Sequence, residues 1–465
     1  MQNPESLPKR ESAQPYQTTN YAFVTLVSIV AAVGGLLFGY DTSVISGAIG
    51  FMQIKFGLSD VMQGWTVSCL MVGAVVGAGF AGVMSDRFGR QKILIVAGLL
   101  FSIGSIVSAI SPTITWFIWA RIVGGIGIGI SSTLVPLYIA EIAPSKHRGR
   151  LVSLNQLAVV IGISAIYFVN RAIVASGNRN WDINTSWRWM FGYGLIPGLL
   201  FVFLLFFVPE SPRWLEKQGF EHRAFALLEK INGTEQARKE LNDVKVSIRK
   251  ESSASIGLLF KPGFRTALLI GVVLAVLQQV TGINAIMYYA PDIFKQVGAG
   301  TNASFTETVI VGLVNFFFTL VSLWLIDKVG RKALLAVGAT VMTLSLAVVG
   351  YEFHSSHVNG FLILVFILLF VAAFAVSFGP VVWLVMAEIF PTGIRGRATA
   401  VASVALWIAD YAVSQSFPVL LGGVGPSITF YIFALLGLVA FVFSLGVVRE
   451  TKGKTLEEIE SSWTS

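Results

Sequence analysis

The chain has one cysteine, four histidines and few charges, with Asp, Glu, Lys and Arg making up 12% of its 465 residues. A lone cysteine, Cys69, excludes an intrachain disulfide framework. The charge fraction is about half that of a soluble domain. Against it stand 55% apolar residues and a mean hydropathy of +0.75, so the composition is that of an integral membrane protein. His147, His222, His354 and His357 are all expected in loops, without a nucleophile–base set or a ligand cluster around them. Neither an enzyme, a metal centre nor a cofactor is therefore expected. A phosphate-binding P-loop is missing too. The run Gly124-Gly125-Ile126-Gly127-Ile128-Gly129 lies within an apolar segment with no strand before it, so close helix packing is its expected role. No filter-like loop suggests a channel. The first 20 residues are polar and lack the apolar core of a signal peptide, so a cytoplasmic tail is expected there.

What is present is a series of apolar runs. A helical crossing needs roughly 20 residues, and twelve segments qualify: 22–47, 61–84, 93–111, 113–139, 152–174 and 188–208, then 265–291, 306–326, 333–351, 361–387, 398–421 and 427–447. The expected fold is an all-α membrane protein with two six-helix bundles, 21–208 and 263–448. A helical insert at 209–262 would separate them, and 449–465 would form a C-terminal tail. Within the insert, Arg223–Ile231 and Gln236–Ile248 carry amphipathic patterns.

A net charge of +8 invites a nucleic-acid partner, but the distribution argues for a membrane instead. All but six of the 33 Lys and Arg follow even-numbered spans or precede the first. The exceptions are Lys55, Arg171, Arg179, Arg188 and Lys295 toward the other side, and Arg121 inside a span. Under the positive-inside rule both termini and the insert face the cytoplasm. The two halves also repeat. Asp86-Arg87-Phe88-Gly89-Arg90 matches Asp327-Lys328-Val329-Gly330-Arg331; Glu141 with Arg148 matches Glu388 with Arg397; Glu210 with Ser211 matches Glu450 with Thr451.

The stretch 278–291 places amides, phenols and a hydroxyl inside a span. Gln278, Thr281, Asn284 and Tyr288 share one helical face at about 100° per residue. Gly282 allows the backbone to unwind between the two amide groups. Any one of these residues could serve as interhelical glue. Together they describe a neutral polar cavity suited to a polyhydroxylated ligand, held at a broken helix. Asp41 and Arg121 are the acid and base most deeply placed in apolar segments, and they must pair or reach water. Such an acid fits a proton site, and a permanent salt bridge is the structural alternative.

At these residues the chain resembles the sugar porters of the major facilitator superfamily, most closely the bacterial proton-coupled, xylose-type symporters. The resemblance rests on Gly34-Gly35-Leu36-Leu37-Phe38-Gly39-Tyr40-Asp41, Asp86-Arg87-Phe88-Gly89-Arg90, and Arg121-Ile122-Val123-Gly124-Gly125. Pro209-Glu210-Ser211-Pro212-Arg213-Trp214, Gln278-Gln279 with Gly282 and Asn284, and Gly379-Pro380 with Trp383 complete it. It implies alternating access by a monomer in a cell membrane, with a monosaccharide and a proton as partners. The implied sugar ligands are Gln156, Gln278, Gln279, Asn284, Asn315 and Trp383, with aromatic walls from Phe38, Tyr288 and Trp407. Asp41 stands where proton-coupled members carry Asp and facilitators usually carry Asn. Ile163 and Leu406 replace amides of the xylose carrier, Asp410 stands where Asn is usual, and Arg449 replaces a proline. Asp410 is expected to face water near the outer end of its helix. Asp86, Arg87, Arg90, Glu141, Arg148, Glu210, Arg213, Asp327, Arg331, Glu388, Arg397 and Glu450 form the expected cytoplasmic gate, linking both halves. A proton-coupled polyol carrier and a facilitative sugar carrier remain alternatives on the same scaffold.

Overall fold

The computed structural model describes residues 20–144, 147–253, 264–390, 395–452 and 458–459. The expected N-terminal tail to residue 19, the last part of the insert, most of the C-terminal tail and the side chain of Asp327 lie outside the described residues. Helices α1 (Tyr21–Phe56), α2 (Asp60–Phe88), α3 (Arg90–Ile110), α4 (Ile114–Ile142), α5 (Arg148–Ala175) and α6 (Arg179–Leu205) make up the first half. The insert carries α7 (Pro212–Lys217), α8 (Glu221–Asn232) and α9 (Thr234–Ser253). The second half contains α10 (Phe264–Gln296), α11 (Thr301–Val329), α12 (Arg331–His354), α13 (Gly360–Ile389), α14 (Arg395–Gly423) and α15 (Pro426–Gly446). Apart from the insert helices, these are the twelve helices long and apolar enough to cross a membrane.

Two expectations need adjustment. Helix α1 runs to Phe56 rather than ending near residue 47, and stops only where Gly57 takes the left-handed conformation at φ 60°. His222 lies inside α8 and His354 ends α12, so these histidines are helical rather than in loops.

Helix α2 packs along α4, and α1 along α5; in the second half α12 packs on α15 and α13. The glycine run of α4 supplies the close approach in the first half. A Cβ on Gly125 or Gly129 would strike the backbone of Leu70 or Ala74 in α2. The halves meet through α2 against α14 and α5 against α11. Ser68 Oγ donates to Gln415 Oε1 at 2.9 Å, Tyr167 Oη to the Met287 carbonyl at 2.7 Å, and Arg171 Nε to Thr306 Oγ1 at 2.9 Å. These contacts lie toward the end of the molecule opposite the repeated charged motifs.

Three spans are interrupted. Helix α6 carries a π-helical turn at Asp182–Ser186 and a non-helical turn at Tyr193 and Gly194. Helix α10 breaks between Val280 and Ile283, where Gly282 takes φ +92°. Helix α13 breaks at Ser377, whose backbone leaves the helical region at φ −118°, ψ −92°. The turns between α2 and α3 and between α11 and α12 are duplicates. Gly89 sits at φ +103° and Gly330 at φ +101°, a region costly to residues with a Cβ. At each, a Cβ would also press on a glutamate, Glu210 or Glu450. Gly330→Ala should therefore destabilise the protein by more than about 1 kcal/mol. Gly79→Ala, whose Cβ would meet nothing within 4 Å, should not. Thermal unfolding of the two variants in detergent checks this; equal midpoints would mean the turn tolerates a side chain.

Candidate functional site

The breaks in α10 and α13 leave backbone groups without helical partners inside a span, where hydrocarbon offers none. Hydroxyls meet the carbonyls freed at the ends of the preceding segments: Ser322 Oγ donates to Val376 at 2.8 Å and Thr281 Oγ1 to Gln278 at 3.0 Å. The amides add bonds of their own. Gln278 Nε2 donates to the carbonyls of Phe378 at 2.7 Å and Gly379 at 3.1 Å, directly beyond the break in α13. Asn284 Nδ2 donates to Gln279 Oε1 at 2.7 Å across the break in α10. The three amides converge because the helix is interrupted, not because they share one continuous face. Thr281, expected on that face, is fully buried, lies outside the cavity lining, and turns its hydroxyl onto the Gln278 carbonyl at 3.0 Å.

These amides line a cavity of about 100 Å³ between the halves. Phe38, Gln156, Gln278, Gln279, Asn284, Tyr288, Asn315, Trp383 and Trp407 all line it, so the structure brings together every expected substrate residue. Phe38 and Trp407 meet edge to face at 5.4 Å. Trp407 is buried and its Nε1 donor has no protein partner. Ile163 and Leu406 form apolar parts of the wall. A larger cavity, about 360 Å³, opens near Lys295 and Arg179 toward the opposite end. Volume alone would favour it. The central cavity is the better candidate because buried amides, aromatic rings and the α10 and α13 breaks meet there.

Asp410 corrects an expectation. It is 1% exposed and lines the central cavity instead of facing outer water. Its Oδ2 accepts from Tyr288 Oη at 3.3 Å and its Oδ1 from Ser414 Oγ at 3.1 Å. Its α14 position is compatible with either orientation in sequence, since lipid, water and cavity faces all recur with the helical period. Thr42, Ser43 and Thr319 also line the cavity and carried no sequence signal beyond being hydroxyls in apolar runs.

Beside the cavity, Arg121 Nη1 donates to Asp41 Oδ1 at 2.5 Å and Nη2 to the Asp41 carbonyl at 3.1 Å. Both residues are buried, and the guanidinium also lies over the Phe191 ring at 5.1 Å. Asp41 Oδ2 and Arg121 Nε have no protein partner. Asp41 directly precedes the lining residues Thr42 and Ser43, but neither member of the pair lines the cavity itself.

The charged motifs assemble into two matching clusters. Arg90 pairs through Nε and Nη2 with Glu141, both at 3.0 Å, while its Nη1 reaches Asp86 at 2.8 Å and the Ser85 carbonyl at 3.0 Å. Glu210 accepts from the backbone N–H of Arg90 at 2.9 Å and of Ser211 at 2.8 Å. In the second half Arg331 Nη2 meets Glu388 at 2.9 Å and Nη1 the Ile326 carbonyl at 3.1 Å. Glu450 accepts from the N–H groups of Arg331, Lys332, Thr451 and Lys452 at 2.9–3.1 Å. Each of these contacts joins helices or tails of one half, whereas the expected network linked the two. Arg87 lies over the Phe88 ring at 5.2 Å, Arg148 and Arg397 sit exposed at the starts of α5 and α14, and Arg213 lies in α7. Several partners had no motif to mark them. Gln91 Nε2 donates to the Leu205 and Val208 carbonyls, Lys217 pairs with Asp86 at 2.7 Å, and Thr451 donates to Glu388 at 2.6 Å.

Two six-helix halves around one polar cavity, with matching charged clusters at one end, define a membrane transporter of the major facilitator class. The profile of the family described as "Sugar (and other) transporter" matches residues 27–463. The chain is 48% identical over 441 residues to the arabinose-proton symporter of Bacillus subtilis, covering 95% of each. It is 39% identical over 477 residues to the D-xylose-proton symporter of Escherichia coli, covering 96% of each. A solved, partially occluded inward open conformation of the xylose transporter XylE from E. coli superposes with a TM-score of 0.85 at 37% identity, over 93% of this chain and 100% of that one. The chain belongs to the sugar transporter family.

The two clusters differ electrostatically. Burial pushes the Glu210 carboxyl up despite its amide donors. Burial acts the same way on Glu450, but its four amide donors outweigh it and hold the carboxyl below the usual range. A lowered acid contributes stability above its unfolded pKa that is lost as pH falls through the folded value. Glu450→Gln should thus lower the thermal midpoint at neutral pH, by the equivalent of about 1 kcal/mol, and the deficit should shrink on acidification below the usual carboxyl range. Melting curves of both proteins from pH 3 to 7 test this; a constant deficit across that range would show that charge plays no part.

Proposed function

We propose that this chain imports a monosaccharide together with protons by alternating access, taking a pentose or hexose such as xylose, glucose or galactose. The observation that carries this reading is the convergence of Gln278, Gln279, Asn284, Asn315 and Gln156 with aromatic rings in one cavity between the halves. Amides can donate and accept, so they match hydroxyls that do both. The flat faces of Trp383, Trp407 and Phe38 suit the C–H faces of a sugar ring. The relatives named for arabinose–proton and xylose–proton symport support the same class.

Asp41 is the proton site and Arg121 its partner. A proton arriving at the open Oδ2 of Asp41 neutralises the carboxylate and weakens the ion pair to Arg121, which joins α1 to α4. Within the first half, α1 can then shift against α4 and change the face that it presents to the second half, through Phe38, Thr42 and Ser43 on the cavity wall. The contacts between halves at the far end seal the cavity from that side. The duplicated clusters brace the helix ends at the charged side, and the gate residues there act by holding each half rigid as it rocks. The charge bias supports a bacterial cytoplasmic membrane location with both termini, the tails 1–20 and 449–465, and the insert 209–262 in the cytoplasm. The bundles 21–208 and 263–448 work as one monomer.

Two measurements test this reading. Gln278→Ala removes an amide anchored on the broken α13, and Trp383→Ala removes a ring face; each should weaken sugar binding by roughly 1–3 kcal/mol, about ten- to a hundredfold in Kd. Calorimetry with a panel of pentoses, hexoses and inositol reads this out, and unchanged affinity in both variants would remove the cavity from the substrate path. Separately, Asp41→Asn keeps the side-chain shape but cannot titrate. In proteoliposomes it should lose pH-driven accumulation while retaining counterflow. Accumulation at the parental level would place the coupling proton elsewhere, and loss of counterflow too would mark the Asp41–Arg121 pair as structural.

A further inference from the structure

Asp410 is the second carboxylate of the cavity region, and nothing in the coupling scheme above uses it. It differs from Asp41 in one respect that matters. Asp41 has a guanidinium at 2.5 Å, whereas among the described residues no Lys, Arg or His forms an ion pair with Asp410. Its protein partners are all neutral: Tyr288 Oη, Ser414 Oγ and the side-chain amide of Asn284. The helices packed most closely on α14 are α2, α10, α13 and α15. Their titratable groups inside the membrane are the neutral Cys69, Tyr288, Tyr289 and Tyr431. Their charges, Asp60, Asp86, Arg87, Arg265, Asp292, Lys295 and Glu388, sit toward the helix ends.

A carboxylate accepts about four hydrogen bonds, and these neutral groups fill no more than three of them. The group is buried on the wall of the cavity, so a ligand lying there can fill the remaining acceptor sites. We propose that Asp410 is a second proton-binding site, one that exchanges its proton directly for a hydroxyl of a bound sugar. Without sugar, an uncompensated buried carboxylate is costly, and a proton relieves that cost. A sugar brings a hydroxyl donor to the open acceptor site, and its charge-assisted bond stabilises the ionised form. Binding therefore proceeds as carboxylic acid plus sugar giving carboxylate–sugar complex plus a proton released to solvent. The sign is opposite to that of a symported proton: acid opposes sugar binding at Asp410 and drives transport at Asp41. Two carboxylates of opposite linkage make uptake peak at intermediate pH. An asparagine at this position could not do this, since it neither titrates nor offers two acceptor oxygens.

This inference rests on the cavity being the sugar site, and the test separates the two. Isothermal titration of the purified full-length protein with D-xylose, L-arabinose and D-glucose is run at pH 5.5 and 7.5, at each pH in two buffers of different ionisation enthalpy. The parent should release protons on binding at pH 5.5, and its Kd should tighten by up to about tenfold per pH unit on the acid side. Asp410→Asn should bind with a Kd that is flat in pH and with no difference in proton release between buffers. Asp410→Glu should restore proton release and so exclude a merely structural effect. The proposal is overturned if the parent releases no proton, or if Asp410→Asn releases as many as the parent. If none of the sugars binds to the parent at either pH, the sugar reading of the cavity fails, and this proposal with it.

Discussion

Hydrocarbon cannot hydrogen-bond, and that constraint organises this protein. An unbroken helix satisfies itself. Each interruption of α10 and α13 exposes backbone groups that only the protein can meet. Ser322 meets the Val376 carbonyl and Thr281 the Gln278 carbonyl, while Gln278 holds the facing segment through Phe378 and Gly379 and Asn284 is tied to Gln279 across Gly282. The same amides thereby become fixed in orientation. A cavity lined by oriented amides lies where the α10 and α13 breaks face each other, and it is a ready site for a neutral polar ligand.

The duplication produces equal clusters with unequal work around them. Arg90, Glu141 and Glu210 in one half and Arg331, Glu388 and Glu450 in the other share a geometry, down to an arginine Nη1 on the carbonyl of Ser85 or Ile326. A single surface ion pair is worth about 0–1 kcal/mol, but here buried arginines meet Glu141 and Glu388 through paired bonds, while Glu210 and Glu450 take up the helix-end N–H groups. These clusters make each half a rigid body. An asymmetry lies deeper: the acid–base pair belongs to α1 and α4, while the two interrupted helices that line the central cavity, α10 and α13, belong to the second half.

Much of this was legible in the residues. Apolar runs marked the spans, repeated motifs marked the halves, and polar groups stranded in apolar surroundings marked the cavity and the Asp41–Arg121 pair. Other features were not. Thr281 satisfies its own helix end instead of facing the cavity, because a hydroxyl can bond the preceding turn at no cost in space. Asp410 was expected in water, since periodicity places a residue on a face without saying what that face meets.

The sequence by itself determined the twelve crossings, the duplicated plan and the residue types of the site, because these depend on local composition and on spacing along one helix. Tertiary structure alone decided that the charged motifs close within each half, that the amides meet across helix breaks, and that Asp410 turns inward. Those outcomes depend on which helix packs against which, and on distances between residues a hundred or more positions apart, such as Gln278 and Phe378 or Tyr288 and Asp410. Helical periodicity carries no information about such distances.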